Sequence, residues 1–433
     1  MKGFLAAFKT PDLRKKLLFT IGMIVIYRIG SFIPTPGVNY SQVKSCVNAT
    51  GSNSDLLGLI NLFSGGSLLQ LSVFALGIMP YITASIIVQL LRVVIPRFEA
   101  LHKEGSAGQG KLTQYTRYVT VGLAILQSTT IITTARTGAL FGNQQECMSV
   151  IPDQSIITLL IMITCMTAGT SLIMWLGELI TENGVGNGMS ILIFASICSS
   201  FLPNLASIAQ GNGGIPKFIL VVVVVIAVIA VITYVEQSQR RVTVQYARRQ
   251  IGTSQAAQST YLPLKINMSG VIPVIFASSI LAVPGLIAQF GDQQAGWVQW
   301  ISANLSRQQS PLHMVLYALM IIFFCFFYTS ITYNTDEVAD NIKTQGGFIP
   351  GIRAGQTTSN YLKYILNRLN TVGSIYLAIV ALIPTILFLV AGLSQSLPFG
   401  GTTILIIVGV GLDTVKQINS QLQQHHYEGF LGL

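Results

Sequence analysis

The sequence predicts an all-α, polytopic membrane protein with ten transmembrane helices. Hydrophobic residues make up 51% of its 433 residues and charged residues only 9%, whereas soluble domains carry roughly 25% charged residues. The mean hydropathy is +0.62. Apolar stretches of about 20 residues, the length that crosses a bilayer as a helix, recur along the whole chain. Together these features exclude a water-soluble protein built around a single hydrophobic core.

Ten apolar stretches are predicted to span the membrane. They cover residues 17–33, 71–94, 118–138, 156–176, 189–208, 218–235, 268–290, 312–333, 371–393 and 400–419. Lys and Arg concentrate in the N-terminal tail and in the second, sixth and eighth connections. The positive-inside rule therefore places both termini and all even-numbered loops in the cytoplasm. The net charge of +10 mainly reflects this topology, although a basic cytoplasmic face also suits contact with ribosomal RNA.

The ten spans divide into two sets of five. An odd number of spans per set forces the sets into opposite orientations, and such inverted repeats place a transport pathway at their interface. We expect an N-terminal half over residues 1–210 and a C-terminal half over 211–433. The C-terminal half holds two large cytoplasmic loops, about 236–267 and 334–370. In the first of these, alternation of Val242, Val244 and Tyr246 with polar residues predicts a hairpin strand.

A short apolar piece, Leu62–Leu69, precedes the second span and is interrupted by Ser64, Gly65, Gly66 and Ser67. It is too short to cross a bilayer, so we expect it to dip into the membrane and turn back. Non-helical backbone at membrane depth is tolerated only where it is buried in protein or lines a cavity. The segment therefore predicts a cavity with a movable piece of chain in it.

Three residues inside spans have two interpretations each. Arg28 lies in the first span, where a charge either marks function or snorkels or pairs with backbone carbonyls. Pro80 and Pro273 interrupt spans two and seven in the contexts GIMPYI and GVIPVI. Each bends its helix by ordinary kinking, or its flanking isoleucines contribute to an apolar constriction that excludes water and ions.

Enzyme chemistry is not predicted. The stretch Gly105–Lys111 nearly matches a nucleotide-binding loop, but Leu112 stands where the hydroxyl that binds magnesium is required. The Gly-rich stretch GVGNGMS at 184–190 is predicted to be a tight turn. The four histidines lack metal-ligand spacing, so neither a cofactor nor a metal is expected. Cys165, Cys198 and Cys325 are predicted to be small core residues. Cys46 and Cys147 both lie in outside loops and either pair, if that face is oxidising, or stay free.

Seven motifs carry a resemblance that covers essentially the whole chain. They are LLFTIGMIVIYRIGSFIPTPGV (17–38), GGSLLQLSVFALGIMPYITASIIVQLL (65–91), LGELITENGVGNGMSILIF (176–194), QRRVTVQYARRQ (239–250), LPLKINMSGVIPVIFASSI (262–280), GGFIPGIRAGQTT (346–358) and FGGTTILII (399–407). In this order they resemble the SecY family, the channel subunits of the bacterial protein-translocation complex.

The resemblance implies two five-helix halves around a central pore, with a plug segment over about 58–70 and a lateral gate between spans two and seven. The implied pore ring consists of Ile78, Ile82, Met189, Ile193, Ile275 and Ile406, with Met189 in place of the usual isoleucine. The implied plug residues are Leu62, Phe63, Ser64, Gly65, Gly66 and Ser67. The implied gate residues are Ser85, Gln89 and Ser278. The implied contacts for the SecA motor or the ribosome are Arg240, Arg241, Arg248, Arg249 and Arg353.

The resemblance also implies a function, partners and a location. We expect a non-enzymatic channel in the bacterial cytoplasmic membrane that translocates unfolded secretory chains and releases apolar segments into lipid. The implied partners are the SecE and SecG subunits, the SecA ATPase, the ribosome, signal sequences, nascent chains and membrane lipid. The competing prediction is a secondary transporter for a small solute, also built from inverted repeats. It requires ionisable residues at mid-membrane, where only Arg28 is found. A membrane protease would need paired catalytic groups, and none is present in the sequence.

Overall fold

The computed structural model describes residues 10–50, 64–136, 150–153, 155–210, 214–246, 260–290, 295–307, 310–390 and 401–431. Within these ranges the chain is mostly helical, and each of the ten predicted spans overlaps a helix. The helices are α1 (Pro11–Ser31), α2 (Tyr40–Thr50), α3 (Met79–Val94), α4 (Pro96–Lys103), α5 (Ser106–Arg136), α6 (Ile156–Asn183), α7 (Gly188–Gln210), α8 (Gly214–Gln237), α9 (Ile272–Phe290), α10 (Gly296–Ile301), α11 (Pro311–Thr332), α12 (Thr335–Thr344), α13 (Gln356–Val390) and α14 (Gly401–Leu431). A π-helical turn, Ser302–Ser306, follows α10.

Six helical stretches of the described chain are long and apolar enough to cross a membrane. They are Ala107–Arg136, Ile156–Asn183, Phe218–Gln237, Pro311–Thr344, Gln356–Ile386 and Gly401–Gln423, and Gly188–Phe201 and Ile272–Gly285 are shorter apolar helices. Large apolar side chains such as Ile29, Val223 and Leu319 are exposed on the outside of the protein. An apolar exterior of this kind is suited to lipid, and the chain is a multi-pass membrane protein.

The predicted start of span two is wrong. Residues 71–78 form turns, and the helix begins only at Met79. Leu71 has φ +48° and Gly77 has φ +56°, and a left-handed backbone cannot continue a right-handed helix. Leucine and glycine are both compatible with an apolar span, so hydropathy alone extended the helix into this region.

Pro80 and Pro273 begin helices rather than bend them. Pro80 lies in the first turn of α3, and Pro273 is the second residue of α9. Proline suits this place because the first helical N–H groups have no partner within the helix. The prolines inside helices are instead Pro203 in α7, Pro284 in α9 and Pro384 in α13.

The start of α9 repeats the start of α3. Gly77 lies three residues before Pro80, Gly270 lies three residues before Pro273, and both glycines have positive φ, +56° and +61°. Glycine adopts this backbone readily, so the same Gly-x-x-Pro pattern turns the chain into each helix. The two helices correspond to the second span of each predicted half.

The predicted hairpin is confirmed, and a third strand joins it. β1 (Gln239–Tyr246) pairs with β2 (Thr260–Lys265) in antiparallel register, and β3 (Gly347–Phe348) from the eighth loop pairs with the other edge of β1. Val242 and Val244 are buried while Tyr246 is exposed. The side chains that form the small core under this sheet are Val242, Val244, Leu264, Ile342, Ile349, Leu362, Ile365 and Leu366. The two large loops that are predicted to be cytoplasmic are therefore one folded unit, packed on the first turns of α13, and we name it the cytoplasmic unit after that prediction.

The cysteines follow the prediction in part. Cys46 is disulfide-bonded, and Cys165, Cys198 and Cys325 are free. Cys147 lies outside the described residues. Cys325 is buried as predicted but does not act as a plain apolar side chain, because its thiol donates to Asn370 Oδ1 over 3.1 Å.

Leu264→Ala is expected to loosen the cytoplasmic unit. Leu264 is fully buried, and truncating a buried leucine costs about 2–5 kcal/mol. Limited trypsin digestion of the purified protein should then cleave at Arg240 or Arg241 faster than in the wild type. Thr243→Ala, on the exposed face of β1, is the matched control and should leave the rate unchanged. Equal rates for Leu264→Ala and the wild type would contradict the assigned core.

Candidate functional site

The six residues of the predicted pore ring lie in one apolar cluster. Ile78 and Ile406 are almost fully buried, with 2% and 0% of their surface exposed. Ile82, Met189 and Ile193 are also buried, and the half-buried Ile275 packs against them. The six side chains come from the N-terminal end of α3, from α7, α9 and α14, and so from both predicted halves. The candidate constriction is the part of this large cluster to which the four elements contribute these six side chains.

Met189 fits its place because of two glycines. Asn187 Oδ1 accepts from the backbone N–H groups of Met189 and Ser190 and so caps the start of α7. A Cβ at Gly177 would lie 2.4 Å from Met189 Sδ, and a Cβ at Gly188 would lie 1.9 Å from the Gly177 carbonyl oxygen. Because Gly177 has no Cβ, the closely packed helices α6 and α7 leave space for the unbranched side chain of Met189. The GVGNGMS stretch is a tight turn as predicted, with Gly186 at φ +83°.

The segment Ser64–Ile78 reaches the constriction without forming a helix. Ser64, Ser67, Leu68 and Leu71 are buried, with at most 1% exposed. Its backbone is held by the residues that follow α1: Val73 N–H donates to the Ile33 carbonyl over 2.9 Å, and Thr35 donates to the Leu71 carbonyl through N–H and hydroxyl. Of the predicted plug residues, Leu62 and Phe63 lie outside the described residues. The other four are anchored inside the protein.

Arg28 contacts this segment directly. Its Nη1 donates to the Gly65 carbonyl over 3.2 Å, and its guanidinium carbon lies 5.4 Å from the centroid of the Phe32 ring. The neighbouring Tyr27 stacks on Phe74, with ring centroids 5.9 Å apart, and its hydroxyl lies 2.6 Å from Ser196 Oγ. The structure thus gives Arg28 a backbone carbonyl as its partner.

The predicted gate residues are only partly brought together. Gln89 Nε2 lies 3.5 Å from Ser85 Oγ on α3, whereas Ser278 on α9 donates to the Ile275 carbonyl of its own helix. Ser85 and Gln89 line a cavity of about 320 Å³ between α3, α5 and α11. Arg92 closes one side of this cavity by donating to the Ile331 carbonyl over 3.3 Å. All the residues that line this cavity belong to these three helices.

A buried polar network at the base of α9 was missed from the sequence. Asn267 Nδ2 donates to Glu236 Oε1 over 2.6 Å, and Ser269 donates to Asn267 Oδ1 over 3.1 Å. Ser269 Oγ also lies 3.2 Å from Cys325 Sγ, and Thr329 and Cys325 both donate to Asn370 Oδ1. The network ties α8, α11 and α13 to the turn before α9. Asparagines next to or within apolar spans were the signal that could have revealed it, because buried amides require partners.

The basic residues of the cytoplasmic unit are exposed but do not share one face. Arg240 pairs with Leu264 and Arg241 with Pro263, so strand alternation places the two arginines on opposite faces of the hairpin. Arg241 lies 4.8 Å above the Tyr261 ring. Arg353 is exposed, and its carbonyl accepts from the Thr358 hydroxyl. Arg248 and Arg249 lie outside the described residues.

Two patterns that could indicate other chemistry are accounted for. Gly105–Lys111 forms the turn after α4 and the start of α5, and no strand precedes it as a nucleotide loop requires. Glu178 forms a two-point ion pair with Arg117, at 2.8 and 2.9 Å. Among the described residues, no group of three or more His, Cys, Asp or Glu side chains could hold a metal ion.

Comparison with known proteins identifies the family. A family model described as SecY matches residues 72–415. The chain belongs to the SecY family. The protein translocase subunit SecY of Streptomyces scabiei is 59% identical over 435 residues, covering 100% of both chains. The corresponding subunits of Micrococcus luteus and Mycobacterium bovis are 51% and 50% identical, again over 100% of both chains.

Solved structures share the fold of this SecY-family chain. One is a SecY channel whose plug domain is described as stabilising the closed state and maintaining a membrane seal, with a TM-score of 0.64 and 18% identity. Another is Sec61 in the canine ribosome–channel complex, with a TM-score of 0.60 and 17% identity. Each match covers 94% of this chain and 91% of the other. The small-solute transporter considered above has no support among these relatives.

Gly177→Ala is expected to destabilise the constriction through Met189. The new Cβ would meet Met189 Sδ, and crowding of this kind costs about 1–3 kcal/mol. Thermal unfolding in detergent should show a lower midpoint, and adding Met189→Ala should restore part of the loss. In Gly188→Ala the new Cβ meets a backbone oxygen instead, so Met189→Ala should not rescue it. Equal rescue of both glycine variants would contradict the proposed fit.

Proposed function

We propose that this chain is a protein-conducting channel that translocates unfolded polypeptides across the bacterial cytoplasmic membrane. In addition, it releases apolar segments sideways into lipid. The observation that carries the proposal is that five of the six ring residues belong to one large cluster of buried apolar side chains and the sixth, Ile275, packs against it, in a chain of the SecY family. Streptomyces relatives of full length are named protein translocase subunits, which supports the same function.

An apolar constriction suits a substrate without fixed chemistry. A translocating chain presents every type of side chain, so fixed polar partners in the pore would retain some segments and reject others. An apolar ring excludes water and ions by dewetting when it is empty. Methionine and isoleucine side chains also adapt to passing groups, and Met189 adds a flexible contact. The ring therefore excludes water and ions when it is empty and fits closely around a chain that passes through it.

We assign the plug to Leu62–Ser67 and the lateral gate to the contact between α3 and α9. Support for the plug comes from the burial of Ser64 and Ser67 beside the constriction and from the solved SecY channel with a described plug domain. Support for the gate comes from the cavity beside Ser85 and Gln89. Ser278 is assigned to the opposite side of this gate. An apolar signal helix that enters there and partitions into lipid gains about 0.8 kcal/mol per buried methylene.

The two inverted halves, 1–210 and 211–433, remain our proposed domain division. The repeated Gly-x-x-Pro start of α3 and α9 supports it, because equivalent spans of a repeat are expected to share such a feature. In this arrangement both termini lie in the cytoplasm, as the distribution of Lys and Arg favours.

Energy and substrates come from partners. We propose that SecE and SecG complete the complex, and that the SecA ATPase or the ribosome drives transport from the cytoplasmic side. The exposed Arg353 and the arginines of β1 supply a positive surface for acidic or RNA partners. The solved ribosome-bound Sec61 channel supports a ribosome contact. Because Arg240 and Arg241 lie on opposite faces, one partner surface is expected to engage only one of them.

Ile78→Asn and Ile406→Asn are expected to wet the constriction. A buried amide without partners costs about 1–3 kcal/mol, which corresponds to roughly fivefold to a hundredfold in the population of a hydrated state. Single-channel recordings should show raised resting ion conductance, and substrates with defective signal sequences should be exported. Ile406→Leu keeps the ring apolar and should behave as the wild type. Unchanged export of signal-defective substrates in both ring variants would contradict the assignment.

SecA-driven import into proteoliposomes tests the function itself. The vesicles contain this chain with a SecE partner, and a secretory precursor is added with SecA and ATP. We expect ATP-dependent protection of the precursor from protease, and loss of that protection in Arg353→Glu. Thr357→Ala, a neutral exposed change nearby, should retain protection. No protection with a correctly folded wild-type complex would reject SecA-coupled transport.

A further inference from the structure

We propose that Arg28 is a positioning residue that holds the Gly65–Gly66 turn in the resting channel and thereby sets the strength of its seal. The inference rests on the proposed function, because it assigns a role to Arg28 in the resting state of that channel. Arg28 is a charged side chain in a predicted membrane span, where charge is energetically disfavoured. Placing arginine in a transmembrane helix costs at least about 2.5 kcal/mol on insertion scales, so its partner inside the protein is informative.

The partner of Arg28 is a backbone carbonyl 37 residues away in the sequence. Arg28 lies in the last turn of α1, where a cation is also favoured by the helix dipole. Its side chain nevertheless reaches across to Gly65 O, at 3.2 Å, and is half-buried. The Phe32 ring lies against the guanidinium and limits its freedom. A hydrogen bond with a charged donor is stronger than a neutral one, so this contact is a firm tie between α1 and the turn.

The turn itself is built for this contact. Gly65 and Gly66 both have left-handed backbone, with φ +68° and +89°. A Cβ at Gly65 would lie 2.8 Å from Arg28 Nη1 and 3.2 Å from Ser196 Cα in α7, whereas a Cβ at Gly66 would have no atom within 4 Å. Position 65 therefore favours glycine both because its backbone is left-handed and because a Cβ would meet Arg28 and α7. Position 66 favours glycine only because its backbone is left-handed.

Hydrogen bonds continue from this turn to the ring. Ser67 Oγ lies 2.7 Å from the Ser64 carbonyl and 2.9 Å from the Phe74 carbonyl. Gly77 N–H donates to the same Phe74 carbonyl over 2.9 Å, immediately before the ring residue Ile78. Tyr27, next to Arg28, stacks on Phe74. One end of α1 thus holds both ends of Gly65–Phe74, so loss of the Arg28 contact should loosen the segment that supports Ile78.

Two measurements test the inference in the full complex. Hydrogen–deuterium exchange of peptides covering Ser64–Phe74 reports local opening without requiring transport. Resting ion conductance and export of signal-defective substrates report the seal. In Arg28→Gln we expect exchange in this segment to rise by roughly tenfold, the factor for losing one charge-assisted hydrogen bond. Conductance should also rise, while exchange in α11 stays unchanged.

The glycine pair supplies a matched control that leaves Arg28 in place. Gly65→Ala should raise exchange and conductance more than Gly66→Ala, because only the former displaces the guanidinium. In an Arg28→Met background this difference should shrink. The part of the difference that disappears in the Arg28→Met background is due to the guanidinium, and the part that remains is due to the contact of the new Cβ with Ser196 Cα.

Two outcomes would overturn the proposal. One is wild-type exchange and conductance in Arg28→Gln, and the other is a Gly65→Ala variant no more affected than Gly66→Ala. Either result, with normal precursor import by the wild type, rejects the role of Arg28 and leaves the channel function intact. Failure of wild-type import together with the expected exchange pattern would instead reject the proposed function and retain the Arg28 contact.

Discussion

The hydrogen bonds that Ser64–Ile78 makes inside the protein are the constraint on which the candidate pore depends. Backbone that is not helical cannot face lipid, because hydrocarbon offers no partners for its N–H and C=O groups. Ile33, Thr35 and side chains of the segment itself provide those partners. They allow the chain to reach the centre of the helix bundle without a helix, and to deliver Ile78 to the constriction as the residue immediately before α3.

Polar and apolar contacts have separate tasks in this molecule. The constriction uses isoleucine and methionine, which bind nothing strongly and can move apart. Fixed points use directional contacts: Arg28 to Gly65, Arg117 to Glu178, and the network of Asn267 and Asn370. A buried polar group without a partner is costly, so such networks hold helices in one arrangement. Movement is therefore expected at the apolar contacts, between groups of helices that the polar contacts keep together.

Much of the fold could be predicted from the sequence, because apolar length specifies a membrane helix. Each predicted span has its helix, and the alternation of Val242 and Val244 predicted the hairpin. The late start of α3 could not be predicted, since the left-handed backbone at Leu71 leaves no mark on hydropathy. The pairing of Arg28 with Gly65 and the pairing of β3 with β1 join residues far apart in sequence, and no local pattern encodes them. The ring residues came from family resemblance; composition alone does not distinguish them from other buried isoleucines.

The length of α13 has a mechanical consequence. This helix is 35 residues long, about 52 Å at 1.5 Å per residue, and its one internal proline, Pro384, lies near its C-terminal end. Its first turns carry Leu362 and Leu366 of the cytoplasmic core, and Asn370 then binds α11. Further along, Leu377 belongs to the same apolar cluster as Ile406. A partner that tilts the cytoplasmic unit therefore also moves α13. The movement is transmitted along this helix to the apolar cluster, although the partner itself stays outside the membrane.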